Sequence, residues 1–349
     1  MGDSTKLNIH PRDEDPHWFI ITSSGAAATR WLGGTLHRHP DICCSCGAGD
    51  LDITLRYDSQ ITPEEYIRVA AKLQQQFEGS QSQDQSLDTL FDHLKARKQA
   101  RFYGNLHRET VLSLSGILRR FPTSRRIALA NVIRHPVTRT DSKARIIQTD
   151  CRDHPSMAAV YKIQFEDRMQ RFATLADTLF DQIGDYTQSS ERMGFINALF
   201  DTLEGLPEFN TPDISPHICH FKIEDLKTCP NRFREFLECI SDGQLTVDEA
   251  YLNWVFSDEN RNAGRFSTGP SALIPPPEAE AQWVQWGDWK QRAFQSAMRV
   301  CGLDEPYRQQ GYDFKFIASL PNSSFPGLGE RLRPSAPRTK APALFNQMP

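Results

Sequence analysis

The chain has no apolar run near the roughly 18 residues that a membrane-crossing helix needs, so no helical membrane span is expected. Met1 to Asp15 is polar and charged, with no apolar signal core, and the expected compartment is the cytoplasm. There is no dense Lys/Arg run, and the formal net charge is -4. That balance argues against a nucleic-acid binder and against a polyanionic polysaccharide as substrate. Eight cysteines in 349 residues do not make a disulfide scaffold. Cys43, Cys44 and Cys46 contain one C-x-x-C spacing, but no second pair matches it, so a zinc site is not expected. Cys219 stands between His217 and His220 in an alternating segment, which does not turn three donors to one side. No metal is expected. There is no G-x-x-x-x-G-K-[ST] either, which argues against an ATP or GTP hydrolase and against a P-loop nucleotide kinase. No internal repeat is visible.

Hydrophobic content of 39% with 24% charge suits a soluble chain with a substantial core. The expected layout is a polar N-terminal arm over 1–17, one α/β domain over 18–320 with a helical insertion at about 150–206, and a Pro/Ser/Arg-rich tail over 321–349. Apolar runs predict strands over 18–22, 101–107, 126–134 and 217–223. The thiols at 43–46 read as lying on or near a strand. Helical periodicity is expected over 29–39, 63–77, 86–98, 108–121, 161–186, 190–206, from 223 through 240, and 282–301. In the last of these, Trp283, Trp286 and Trp289 would lie near one face. Alternating strands and helices predict a mainly parallel central sheet flanked by helices.

The stretch WFIITSSGAAATRWLGGTLHRHPDI, from Trp18 to Ile42, takes a strand into a small-residue turn and then a helix. A helix N-terminus presents unpaired N–H groups and partial positive charge, and small residues let an oxyanion approach them. Ser23, Ser24, Gly25, Ala26, Ala27, Ala28 and Thr29 supply that geometry; the alternative is an ordinary strand–helix turn. A second stretch, NVIRHPVTRTDSKAR from Asn131, follows an apolar strand and sets Arg134 and Ser142 eight residues apart. A guanidinium at a strand end and a hydroxyl after the next turn can converge on one phosphate; local salt bridges are the alternative.

Together these stretches resemble the sulfotransferases that use 3′-phosphoadenosine 5′-phosphosulfate (PAPS). The first is similar to the family's 5′-phosphosulfate segment, roughly S-G-[RK]-S-G-T-[TS]-W-L followed by HP-[DE]-I. Gly25, Thr29, Trp31, Leu32 and His39 to Ile42 match, whereas Ala26 replaces the family's basic residue, Ala27 its Ser and Ala28 its second Gly. Arg30, one helical turn on from position 26, could replace the missing cation. The second stretch is similar to the family's 3′-phosphate segment, with Arg134, Pro136, Val137, Arg139 and Ser142 matching and His135 departing. A third, FKIEDLKTCPNRFREFLECI from Phe221, resembles an architectural strand–helix unit of the family, and WGDWKQRAF from Trp286 its C-terminal Trp-bearing helix.

The resemblance implies a P-loop-like sulfotransferase fold and transfer of a sulfuryl group from PAPS to a hydroxyl or amine of a small molecule, releasing 3′-phosphoadenosine 5′-phosphate (PAP). It implies that Ser24 to Trp31 hold the phosphosulfate and, through Trp31, the adenine. It implies that Arg134, Ser142 and a basic residue at Arg261 or Arg265 hold the 3′-phosphate. His107, which ends the strand-like RFYGNLH, would be the general base, with Glu109 as the alternative. The competing expectation, prompted by Ala26, is a PAPS- or PAP-binding protein without transferase activity. Oligomeric state is not legible.

Overall fold

The computed structural model describes residues 16–23, 28–46, 94–96, 98–107, 127–206, 218–257 and 278–317, with Arg30, Ser45, Cys46, His107, Pro155 and Ser156 described in backbone only. The helices expected over 63–77 and 108–121 lie outside these residues, as does most of 86–98. The five-stranded sheet is parallel throughout. Its strands β1 (His17–Thr22), β2 (Ile42–Cys46), β3 (Phe102–His107), β4 (Ile127–Ile133) and β5 (Cys219–Lys222) run in the spatial order β2-β3-β1-β4-β5. Helices flank it, which is the α/β arrangement expected from the alternation of strands and helices.

β1 is the centre of the sheet, and its sequence explains why. Trp18 to Ile21 are all buried, with no polar residue among them. A strand covered on both faces reads as a continuous apolar run rather than an alternation. It pairs in register with β3 on one side (Phe19 opposite Gly104, Thr22 opposite His107) and with β4 on the other (Thr22 opposite Asn131).

Two connections leave this centre in opposite directions. After β1 the chain turns into α1 (Thr29–Arg38) and reaches β2, beyond β3. After β4 it enters α2 (Pro136–Asp153), α3 (Pro155–Arg171), α4 (Ala173–Ile183) and α5 (Ser190–Glu204) before returning as β5 on the far side. In an open parallel sheet, divergence of this kind opens a crevice at the carboxyl ends of the two strands. Here it lies between β1 and β4.

The core has two parts. One sits on the sheet, where Phe19, Ile21, Leu32 and Leu36 meet Phe233, Phe236 and Leu237 of a later helix. The other lies among α2 to α5 and the C-terminal helices, built on Phe165, Phe195, Phe200 and Phe294. In the second, α2 packs along α5 around a buried charge cluster. Asp201 pairs with Arg139 at 3.0 Å, Arg168 at 2.7 Å and Lys143 at 3.3 Å. Burial alone would raise the pKa of Asp201, but Lys143, Arg139 and Arg168 together hold it far below the usual carboxylate range.

Three expected helices are broken. The span 161–186 divides into α3 and α4 at Phe172, whose φ of -110° and ψ of 37° are not helical. The helix after β5 divides into α6 (Ile223–Thr228) and α7 (Pro230–Ser241), because Pro230 cannot continue a preceding helix and takes a first-turn position instead. The span 282–301 divides into α9 (Ala279–Gln285) and α10 (Asp288–Cys301) at the extended Trp286. The three tryptophans therefore do not share one helix face. Trp286 instead leaves the helix, and its indole N–H donates to Asp141 at 3.1 Å. Two short helices, α8 (Glu249–Val255) and α11 (Asp304–Gln309), follow α7 and α10 in the chain.

The His39-Pro40-Asp41-Ile42 stretch has an architectural role. The Nδ1 of His39 accepts the Asp41 N–H at 3.2 Å, and its ring meets Tyr251 edge-on at 4.7 Å. The Lys98 ammonium donates to the carbonyls of His37, His39 and Ile42 at 2.9, 2.6 and 2.7 Å, and so closes the end of α1.

Gly104 is where β3 meets β1 most tightly. A Cβ at that position would stand 2.0 Å from the Phe19 ring, which is fully buried. Gly104→Ala is expected to cost about 3 kcal/mol of stability, through displacement of Phe19. Chemical denaturation of the two chains measures that loss, and a Phe19→Leu background should recover part of it.

Candidate active site

The turn after β1 begins at Ser23, which is fully buried and whose Oγ has no hydrogen-bond partner among the described residues. Ser24, Gly25, Ala26 and Ala27 lie outside those residues. The chain re-enters them at Ala28, with φ 55° and ψ 32°. This is the left-handed region, which costs a residue with a Cβ about 1 kcal/mol. The resemblance puts a glycine at this position, and the backbone shows why a glycine suits it. α1 then starts at Thr29, 8% exposed, with no side-chain cap on its N-terminus and no acidic residue in its first turn. The first N–H groups of this 10-residue helix are thus not engaged by a side-chain cap.

On one side of this turn, the strand pairing brings His107, at the end of β3, level with Thr22 at the end of β1. On the other side, Arg134 leaves the end of β4. The three segments singled out in the sequence therefore meet at one edge of the sheet. The Thr22 hydroxyl donates to Asn131 Oδ1 at 3.1 Å, and Asn131 Nδ2 donates to His220 Nδ1 at 3.2 Å. This chain of bonds ties β1, β4 and β5 together just below the crevice. His220 accepts at Nδ1, so its proton is assigned to Nε2, and burial lowers its pKa in keeping with a neutral ring.

Arg134 is half-buried. Burial pulls its pKa down from the usual guanidinium value; the Glu224 carboxylate opposes this, with Arg145 and Asp141 the next charges felt. Asp141 and Arg145 are on α2, on either side of Ser142 in sequence, so Arg134 lies within electrostatic reach of the helical turn that holds Ser142. Ser142 itself is half-buried. Glu224, on α6, is the centre of this corner. Its Oε1 accepts the His135 N–H at 3.1 Å and its Oε2 accepts the Tyr312 hydroxyl at 2.9 Å. Burial, then the Glu224 charge, push the Tyr312 phenol well above its usual value, so it stays a donor. The sequence reading treated Glu224 as architectural and passed over Tyr312. The signal present was FKIEDL itself; nothing near Tyr312 in sequence points to a site.

His135 departs from the Asp or Asn that the resemblance expects before Pro136. Its Nδ1 nevertheless does what their oxygens do, accepting the Val137 N–H at 3.2 Å to cap α2. Its Nε2 bonds the Asp313 carbonyl at 3.1 Å, and Phe314, Tyr312 and Phe316 surround the ring.

One expected role changes. Trp31 is 3% exposed within the sheet core, edge-on to Phe233, with the Lys227 ammonium 5.0 Å from its ring centre. A ring packed in this way is a core residue, and the adenine-stacking role gives way to that reading. Arg139, which matches the 3′-phosphate segment without having been assigned to the phosphate, is 1% exposed and pairs with Asp201 in the helical core. Glu109, Arg261 and Arg265 lie outside the described residues. Among the described residues no group of His, Cys, Asp or Glu is arranged to hold a metal ion. No described helix is long and apolar enough to cross a membrane.

No protein-family model matches the chain, and no curated protein matches it. Two solved structures are similar. The sulfotransferase domain from the curacin biosynthetic pathway shares 11% identity over 86% of this chain and 99% of its own length, with a TM-score of 0.39. The sulfotransferase domain from the Synechococcus PCC 7002 olefin synthase shares 13% identity over 87% and 98%, with a TM-score of 0.34. Likeness at that level carries no argument about what this chain does.

The His135 ring titrates near 4, chiefly because it is buried, while the Asp313 carbonyl and carboxylate oppose the shift and Lys222 and Arg134 add to it. An unfolded His takes its proton near pH 6.5. The unfolded chain therefore binds this proton first, and stability falls as pH drops from about 6.5 towards 4. His135→Asn keeps an N-cap acceptor but removes the ionisation. Its unfolding free energy, followed by urea titration at several pH values, should fall less steeply across that window.

Proposed function

We propose that this chain is a PAPS-dependent sulfotransferase acting on a hydroxyl or amine of a small molecule. The observation that carries the reading is the crevice between β1 and β4. On its two sides stand an uncapped helix N-terminus after a small-residue turn and a half-buried arginine, Arg134, at a strand exit. Such a site has donors for two separate anionic groups of one ligand. The orphaned Ser23 hydroxyl and the open first turn of α1 fit an anion. The buried Trp31 does not offer a face to a base, so adenine contacts would come from other residues.

PAPS, when bound, supplies an activated sulfuryl group on a phosphate leaving group. Backbone N–H groups over 25–29 and the Thr29 hydroxyl hold the 5′ end of the cofactor. Arg30 supplies the positive charge that Ala26 does not, and stabilises negative charge at that end. Arg134 and Ser142 bind the 3′-phosphate, with Glu224 and Tyr312 fixing the corner from which Arg134 projects. A ring nitrogen of His107 takes the proton from the acceptor oxygen or nitrogen as that atom becomes nucleophilic. The residues thus contribute positioning, charge and one proton transfer, and none of these roles calls for a metal.

The second reading, a PAPS- or PAP-binding protein without transfer, is favoured by Ala26, because the usual cation at that position is missing. Calorimetric titration with PAP separates these possibilities. Binding should be tight and should disappear with adenosine 5′-phosphate, which lacks the 3′-phosphate. Arg134→Ala should weaken PAP binding by about 100-fold, the value of a charged, paired contact; unchanged affinity would remove Arg134 from the site. His107→Ala should leave PAP binding intact and abolish product formation from PAPS across an acceptor panel. PAP binding with no acceptor turned over by the unaltered chain would establish the second reading, and no PAP binding would overturn both.

A further inference from the structure

Cys219 opens β5, the edge strand of the sheet, and Cys239 stands on α7, the helix that covers β4. Both are unbridged thiols, Cys219 exposed and Cys239 half-buried. In the β4–β5 ladder Cys219 lies opposite Ala130. The Cys239 Sγ lies 3.8 Å from the carbonyl oxygen of Leu129, the residue before Ala130. Neighbouring strands are about 4.8 Å apart, so α7 brings the Cys239 sulfur to the stretch of β4 that pairs with Cys219. That proximity, from a strand edge to the helix packed beside it, is what a disulfide needs in order to form without moving either element far.

We propose that Cys219 and Cys239 are a covalent modification site, a reversible disulfide that fastens the edge strand β5 to α7. The oxidant class is a peroxide. The Cys219 sulfur attacks one peroxide oxygen and the O–O bond breaks, leaving a sulfenic acid and one water. The Cys239 sulfur then attacks that sulfenic sulfur. The S–S bond forms, the S–O bond breaks, and the departing hydroxide leaves as a second water with the Cys239 proton. Two thiols have then lost two electrons and two protons, and one peroxide has taken them up. Burial, then the contact with Cys219, push the Cys239 thiol up to about 12. It therefore keeps its proton until it attacks, and the solvent-facing Cys219 is oxidised first. The bridge would close a loop of about 20 residues and restrict the unfolded chain accordingly. It would also lock the residue next to His220, the outer member of the hydrogen-bond chain that reaches Thr22.

The test is peptide mapping of the full reduced chain after treatment with equimolar hydrogen peroxide, with remaining thiols alkylated and no reductant added. The expected product is a linked pair of peptides, one holding Cys219 and the other Cys239, about 2 Da lighter than the sum of the two reduced peptides. Dithiothreitol should separate them, and the oxidised chain should melt at a higher temperature than the reduced one. Cys219→Ser, an exposed change, should yield no linked pair. Recovery of Cys219 as a sulfinic acid, or joined to another cysteine or to a second chain while Cys239 remains open to alkylation, would overturn the proposal. The outcome does not depend on whether the chain binds PAP.

Discussion

Parallel pairing on both sides of β1 is the constraint on which the rest of the site depends. A parallel strand cannot return by a hairpin, so each neighbour must arrive through a long crossover. Here those crossovers diverge, and the divergence places a turn, a strand end and a strand exit around one crevice. The apolar run from Trp18 to Ile21 supports this arrangement because it is buried on both faces. Thr22 ends the run and begins the polar part of the structure. Its hydroxyl is the first member of a hydrogen-bond chain across three strands, so the ends of β1, β4 and β5 are held level beside the crevice.

The Arg134 corner shows how a charge is compensated in a half-buried place. An isolated guanidinium there would carry a penalty of several kcal/mol. Glu224 offsets it, and the same carboxylate also accepts a backbone N–H at the start of α2 and the phenol of Tyr312. One acid thus couples β4, α2, α6 and the segment around Tyr312. His135 adds a second tie to that segment while remaining neutral, because the surrounding aromatic rings disfavour its protonated form.

Much of the organisation was legible because it is written in local pattern. The strands came from apolar runs, and α1 and α5 from periodicity. The left-handed Ala28 sits where the resemblance places a glycine, so even the departure pointed to a real backbone requirement. The breaks at Phe172 and Trp286 were not legible, since apolar spacing continues through them and tertiary packing ends the helices. Pro230 was a visible stop that periodicity overrode. Trp31 was misjudged for a different reason. A tryptophan at the start of a helix has the same local pattern whether it faces a ligand or the core, and only Phe233 and Lys227, some 200 residues away, decide between them.

The sequence by itself determined that the chain forms a parallel α/β sheet, because apolar runs alternating with helical segments belong to residue types at short spacing. Only the tertiary structure decided that Arg139 pairs with Asp201, that Glu224 and Tyr312 frame Arg134, and that Cys219 and Cys239 stand beside the same stretch of β4. Each of those partnerships joins elements that the chain separates by many residues. Their energies depend on burial and on which charge stands opposite, and neither is present in a linear pattern.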